Sequence, residues 1–358
     1  MFGCNHRTAS LDVRERFALA DAQLEKLYCA MPKVPGLEEC LILSTCNRIE
    51  CYGAGQAIDH EAAQSIFCQT AGYDTALFAQ ATLREEGPAV VKHIFEVASG
   101  LDSQMVGETE ILGQVKNAYA AAVERGVLGA RLNRLFQKSF QAAKWVRTHT
   151  AIGRGQVSIG QVAGELAERI FGELAGCRLL VIGTGEVGEK TLLALRDRGA
   201  ADITLASRTF ENARRMAARY QGQAVEFETV PHLMHRFDIV VCSSASPDTL
   251  FSRQQMAGCL RQRGGLPLFV VDLAMPRNVD PLASHLTGLY LYNLDDLALI
   301  ANENLRARQT EVEKCRAVLQ ERATYFWEGM IRRQLRLSHD SQPLPSRGLP
   351  LVQPGRGS

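Results

Sequence analysis

The sequence predicts a multidomain protein, part α/β and part α+β, and three observations carry that prediction. Apolar runs at 179–182, 203–206, 238–242 and 268–273 alternate with helix-length segments, the texture of a parallel sheet with crossover helices. The first 150 residues instead mix helical patterns with isolated strand-like runs and show no βαβ rhythm. From Leu297 onward apolar residues recur at spacings of three, four or seven, with no Gly or Pro until Gly329, as in a long helix. With 358 residues, 46% of them hydrophobic, the chain exceeds one ordinary core. The expected organisation is an α+β domain over 1–150, a Rossmann-type dinucleotide-binding domain over 151–295, a helical segment over 296–337 and a disordered tail over 338–358, where Pro343, Pro345, Pro350 and Pro354 stand among Ser, Gly and Arg.

The N-terminal part opens with a helix capped at Asp21 that carries Leu24, Leu27, Tyr28 and Met31. A buried strand, Cys40 to Leu43, leads into Ser44-Thr45-Cys46-Asn47-Arg48, and Ile49 to Tyr52 resumes a strand, so Cys46 is placed at an exposed turn. A thiol between hydroxyl and amide groups, with a cation two residues on, is expected to have a lowered pKa, and the thiolate is the reactive form. A packing role is the other reading of such a cysteine. His93 lies in a helical apolar pattern, as suited to a helix histidine as to a base. Ser103, Gly107, Glu108, Glu110 and Gln114 crowd a short stretch that reads as a lined cleft or a helix start.

The next strand, Leu179 to Ile182, runs directly into Gly183-Thr184-Gly185-Glu186-Val187-Gly188 and then a helix. In that context G-x-G-x-x-G marks a dinucleotide site: a tight turn, close approach of a pyrophosphate, and a helix packed against the sheet. The strand after it ends in Ser207-Arg208-Thr209, where an NAD site has a carboxylate. An arginine between two hydroxyls suits a 2′-phosphate, so NADPH is favoured. The final helix carries Leu297, Ala301, Leu305, Val312, Cys315, Leu319, Phe326 and Met330 on one seam, about 50 Å long. The seam needs a covering surface, either another subunit, which makes a homodimer, or the chain's own upstream domains.

Forty basic and thirty-nine acidic residues leave a formal charge of +1, without the basic excess of a dedicated nucleic-acid-binding domain. One stretch stands apart: Arg125, Arg131, Arg134, Lys138, Lys144, Arg147 and Arg154 occur with no acidic residue up to Gly164. It reads either as a phosphate-binding face or as a solvated helix face. The start has no apolar signal region and no run reaches eighteen apolar residues, so a soluble cytoplasmic protein with no membrane association is expected. The ten scattered cysteines read as reduced thiols, and none is paired at zinc-ribbon spacing, so no metal is expected.

Taken together, Asn5-His6-Arg7-Thr8-Ala9, Thr45-Cys46-Asn47-Arg48, the run from Ala98 to Ser103, Gly107-Glu108, Gln114-Val115-Lys116, the glycine motif, Asp272 to Arg277 and Asn293 to Leu297 resemble glutamyl-tRNA reductase. The resemblance extends to about Trp327. It implies that the domain over 1–150 is catalytic and binds glutamyl-tRNA(Glu), and that the terminal helix serves dimerisation in a shortened form. It implies attack by Cys46 on the ester joining glutamate to its tRNA, then reduction of the thioester by NADPH to glutamate 1-semialdehyde, the first step of tetrapyrrole (porphyrin) biosynthesis from glutamate. By carry-over, Thr45, Asn47, Arg48, Ser103, Glu108, Thr109, Glu110 and Gln114 line the glutamyl site. Arg48 grips the side-chain carboxylate, Glu108 meets the α-ammonium, and His93 assists thiol activation or proton transfer. The aldehyde passes to glutamate-1-semialdehyde aminomutase. The chain departs from the family pattern at Glu110, where the family usually has Gln, so Glu110 either points away from the glutamyl group or alters affinity. Two other readings compete: an NADP-dependent dehydrogenase of the shikimate type that needs no cysteine, and a non-catalytic paralogue that binds tRNA.

Overall fold

The structure is a computed structural model that describes residues 1–150, 152, 158–303 and 309–340. Arg154, Leu305 and the expected tail beyond 340 lie outside the described residues.

The first domain is built on an antiparallel sheet of β1 (Phe2–Asn5), β2 (Leu37–Ser44), β3 (Arg48–Gly55) and β4 (Leu83–Arg84), ordered β2-β3-β1-β4. Its helices are α1 (Leu11–Glu15), α2 (Asp21–Ala30), α3 (His60–Ala71), α4 (Thr75–Ala81), α5 (Pro88–Ala98), α6 (Glu110–Glu124) and α7 (Ala130–His149). Cys40 to Leu43 form a continuous apolar run because every one of them is buried. Helix α2 begins at Asp21 itself, so the expected cap is displaced by one residue: Ala20 is the cap, and the Gln23 side chain accepts its N–H at 2.9 Å. Helix α7 starts on Glu39 of β2, whose buried carboxylate accepts from the N–H groups of Arg131 (3.0 Å) and Leu132 (2.7 Å). That bond ties α7 to the strand that leads to Cys46.

The second domain is a six-stranded parallel sheet: β5 (Arg178–Ile182), β6 (Asp202–Ser207), β7 (Gln223–Glu226), β8 (Ile239–Cys242), β9 (Leu268–Asp272) and β10 (Leu289–Asn293). The order β10-β9-β8-β5-β6-β7 reverses direction between β5 and β8, which opens a ligand crevice at the carboxyl ends of those strands. Around it lie α8 (Ile159–Phe171), α9 (Glu186–Asp197), α10 (Phe210–Tyr220), α11 (Val230–Leu233), α12 (Arg253–Gln262) and α13 (Leu294–Glu303). Leu179 and Val181 enter one core cluster, Leu180 and Ile182 the other, so both faces of β5 are covered. Strands β7 and β10 close the two edges and were not foreseen, because neither presents a buried apolar run.

Helix α14 (Gln309–Asp340) runs past the tail boundary expected at 338. The terminal seam also divides between two partners. Leu297 and Ala301 join the core of the second domain, whereas Cys315, Leu319, Ala323 and Phe326 are buried in the core of the first. Phe326 lies 6.1 Å from Phe95 of α5, ring to ring. The chain's own first domain thus covers the surface expected to serve dimerisation. Among the described residues no helix is long and apolar enough to cross a membrane.

Candidate active site

The β2–β3 hairpin is closed by a turn that the Thr45 hydroxyl organises, accepting from the N–H groups of Asn47 (3.1 Å) and Arg48 (3.2 Å). Cys46 stands at its tip, half-buried, against the same second-domain core cluster that takes Val187 of the glycine motif. Burial, reinforced by the Glu108 carboxylate, pushes the thiol up to about 12, while Arg14 works in the opposite direction. This overturns the expected lowering. The expectation relied on Arg48 as the neighbouring cation, but alternation along β3 turns its side chain into the domain.

There Arg48 is fully buried and committed to internal carboxylates: Nη1 donates to Glu50 Oε1 at 2.8 Å, and both terminal nitrogens reach Asp102 Oδ2 at 3.1 Å. A buried guanidinium has to be paired, and β3 itself supplies one partner two residues on. Its Nε–H alone has no partner. Glu50 also accepts from Tyr52 at 2.6 Å and contacts His93 Nε2 at 2.9 Å. Burial alone would raise the Glu50 carboxyl, but His93 and Arg48 hold it well below the usual range. Burial likewise opposes a charged His93, and the Glu50 carboxylate more than offsets it, so the imidazole pKa is raised. No hydrogen bond joins His93 to Cys46 among the described residues.

Two residues without a sequence signal of their own hold the turn. Arg14, buried on α1, donates through Nη1 to the Cys46 carbonyl (3.1 Å) and Asn47 Oδ1 (2.7 Å). Its Nη2 meets both oxygens of Asp295 at 2.7 and 2.9 Å. Asp295 opens α13 in the second domain and also accepts from Gln104 at 2.7 Å. Arg277 of the second domain pairs with Glu15 of α1 at 2.8 Å and with Asp12. His6 lies beside the same turn, its backbone N–H donating to the Asn47 carbonyl at 3.0 Å. Burial first and Arg48 second lower its imidazole to about 4.

Glu108, Thr109 and Glu110 line a cleft of about 380 Å3 between the start of α6, the start of α8 and α9. Burial raises the Glu108 carboxyl, and the charge of Glu110 adds to it. Arg147 of α7 secures this loop through the carbonyls of Glu108 (3.3 Å) and Thr109 (3.1 Å). Glu110 points across to the second domain, 2.7 Å from Lys190 of α9, which pairs equally with Glu186. Ser103 is buried, and Gln114 is half-buried one turn along α6. The buried side-chain atoms without a partner among the described residues are His6 Nδ1, Arg14 Nε, Arg48 Nε, Ser99 Oγ, Ser103 Oγ, Gln104 Oε1 and Arg147 Nε. Native proteins leave few such atoms; of these residues Arg14 bonds the Cys46 turn directly, Arg48 closes it through its backbone, and Arg147 holds the Glu108 loop.

In the second domain Gly183 takes φ +106° and, with Gly188, makes room for Ser243 at the end of β8: a Cβ would lie 2.5 Å from its carbonyl at the first position and 2.1 Å from its hydroxyl at the second. Above Gly185 the nearest atom is 4.0 Å away, leaving the backbone open to a phosphate at the start of α9, where Thr184 and Glu186 also sit. Ser207 ends β6, and Arg208 and Thr209 follow it, both exposed. Arg208 has no ion-pair partner among the described residues.

Comparison with known proteins agrees with this division. Residues 2–150 match the family model described as glutamyl-tRNAGlu reductase, N-terminal domain, and 165–300 match that of shikimate / quinate 5-dehydrogenase. A glutamyl-tRNA reductase of Akkermansia muciniphila is 37% identical over 91% of this chain and 96% of its own length. One of Desulfovibrio desulfuricans is 38% identical over 91% of this chain and 76% of its own. Among solved structures, glutamyl-tRNA reductase from Methanopyrus kandleri superposes with a TM-score of 0.51 at 32% identity, covering 95% of this chain and 82% of that one.

Proposed function

This chain belongs to the glutamyl-tRNA reductase family, and from that premise we propose that Cys46 accepts the glutamyl group of glutamyl-tRNA(Glu) and that the thioester is reduced with NADPH to glutamate 1-semialdehyde. The observation that carries this reading is Cys46 at the tip of the β2–β3 turn, held there by Arg14 and packed against the core of the glycine-motif domain. The similarity to shikimate dehydrogenases is confined to the cofactor domain, which argues against that enzyme as a whole.

In the first half-reaction the Cys46 sulfur bonds to the acyl carbon, the ester C–O bond breaks, and the thiol proton leaves with the ribose hydroxyl. A thiol near 12 needs help, and the substrate supplies part of it. Glu108 raises that thiol electrostatically, so pairing of Glu108 with the substrate α-ammonium removes the opposing charge and favours the thiolate. The Nε–H of Arg48 is left for the side-chain carboxylate, and on family resemblance Ser103, Thr109 and Gln114 complete the glutamyl pocket. Thr45 and Asn47 hold the turn. His6, lowered to about 4 by burial and Arg48, stays uncharged and braces the turn through its backbone, while His93 acts through Glu50 to fix Arg48. Glu110 is drawn to Lys190, which offsets part of its charge, and the charge that remains still raises Glu108.

Bound NADPH supplies hydride to the acyl carbon. The residues that fit it are Gly183 to Gly188, with Ser207, Arg208 and Thr209 for a 2′-phosphate. Arg14, joined to Asp295, orients the Cys46 turn toward that domain. A homodimer, a cytoplasmic location and delivery of the aldehyde to glutamate-1-semialdehyde aminomutase complete the reading on family membership alone.

The test is NADPH oxidation with glutamyl-tRNA, beside free glutamate and uncharged tRNA, in the wild-type chain and Cys46→Ser. Oxidation is expected only with charged tRNA and only with Cys46 present. Turnover by the serine variant refutes the scheme, and NADPH binding without consumption points to a non-catalytic paralogue.

A further inference from the structure

A second cleft, about 720 Å3 in volume, lies between α7 and α14 and shares no residue with the site above. Arg134, Lys138 and Trp145 line one wall; Arg322, Tyr325 and Arg333 line the other. Four cations there meet one carboxylate, Glu321. Arg134 and Arg333 have no ion-pair partner among the described residues, and Lys138 reaches only the Gln141 amide oxygen at 3.0 Å. Arg322 lies over the Trp145 ring at 4.5 Å.

Of the other cations of the basic stretch, Lys144 is exposed outside the groove and three are engaged internally. Arg125 is paired with Glu25, Arg131 with Glu38, and Arg147 is turned onto the carbonyls of Glu108 and Thr109. Arg134 and Lys138 face one groove together with Arg322 and Arg333 of α14. Like charges collected without counter-charge repel, and a bound polyanion converts that repulsion into affinity. The groove also offers a ring face in Tyr325, which is 75% exposed, whereas Trp145 is already engaged by His149 at 4.7 Å and by Arg322. Cations beside aromatic platforms fit unpaired nucleotides, whose phosphates and bases use both; an acidic peptide uses only the first. From Arg134 to Trp145 the wall spans roughly 16 Å of helix, enough for several phosphates of a stacked strand. Its Trp145 end lies within one turn of Arg147, which secures the acyl-site loop.

We propose that the α7–α14 cleft binds unpaired nucleotides of the tRNA that carries the glutamyl group. The proposal rests on the reading of Cys46 as acceptor of a tRNA-borne acyl group.

The experiment measures binding of tRNA(Glu) to the full chain across a salt series, for the wild type, R134E/R333E, Y325A and a control, R169E/R261E, which makes the same charge change at exposed sites elsewhere. A parallel assay follows acylation of Cys46 by a small activated glutamate ester. R134E/R333E is expected to weaken tRNA binding at least tenfold and to reduce the slope of log K against log salt by about 2. Y325A is expected to weaken binding severalfold with the slope unchanged, and the control and the small-ester reaction should stay near wild type. Wild-type affinity and slope in R134E/R333E, or an equal loss in the control, overturns the cleft as the RNA site. If the wild-type chain itself binds no tRNA at low salt, it is the substrate reading that fails, and the cleft falls with it.

Discussion

At the scale of single residues, the environment of Cys46 makes its reactivity conditional. A thiol held near 12 by burial and by Glu108 is slow toward alkylation at pH 8. Glu108→Gln removes one of the three causes, burial and Glu110 being the others, so iodoacetamide labelling of Cys46 is expected to quicken by about threefold to tenfold, since one pKa unit is a tenfold change in thiolate. An unchanged rate would separate Glu108 from the thiol. His93 and Glu50 give a pH signature with opposite signs. The raised His93 pKa contributes stability that is complete below about 6.5 and is lost as pH rises through the folded value. The lowered Glu50 contributes above about 4.3 and is lost as pH falls through its depressed value. Denaturation midpoints should therefore decline as pH rises above about 6.5, and His93→Gln should flatten that decline. Arg208 is exposed, without an ion-pair partner among the described residues, and on the proposed reading it sets the cofactor preference. Its replacement by Ala should raise the KM for NADPH roughly tenfold or more while barely moving that for NADH; equal effects would end the 2′-phosphate assignment.

At the scale of elements, two helices depend on residues far away in sequence. Helix α7 begins on the Glu39 carboxylate, which caps it from β2. Glu39→Ala leaves two amides at a helix start without their acceptor and should cost about 1–2 kcal/mol, read as a lower melting temperature. Helix α14 completes the first domain through Cys315, Leu319, Ala323 and Phe326. Leu319→Ala should cost about 2–4 kcal/mol of stability and leave the oligomeric state seen by gel filtration unchanged. Loss of a dimer with the melting temperature preserved would instead place this seam between subunits. The helix periodicity was plain in the sequence, but what covers it was not, because an apolar stripe states only that it needs a surface.

At the scale of the whole molecule, α1 joins the two domains. Arg14 holds the Cys46 carbonyl and Asn47 with one nitrogen and Asp295 with the other, while Glu15 and Asp12 hold Arg277. Lys190 and Glu110 make a further link across the cleft beside Glu108. The thiol's orientation toward the cofactor domain thus depends on how the domains dock, and Glu110 is explained by a partner eighty residues away.

The sequence by itself determined the α+β and Rossmann domains, the G-x-G-x-x-G turn, the turn bearing Cys46 though not its half-buried setting, and the family. These are local patterns: periodicity, turn chemistry and motifs with fixed spacing express themselves within a few residues of chain. Tertiary structure alone decided that Arg48 faces inward to Glu50 and Asp102, that the Cys46 thiol is raised instead of lowered, that Arg14 and His6 attend it, and that α14 covers its own first domain. Charge and burial act through space, so the partners that set a side chain's protonation and direction are named only when distant segments meet.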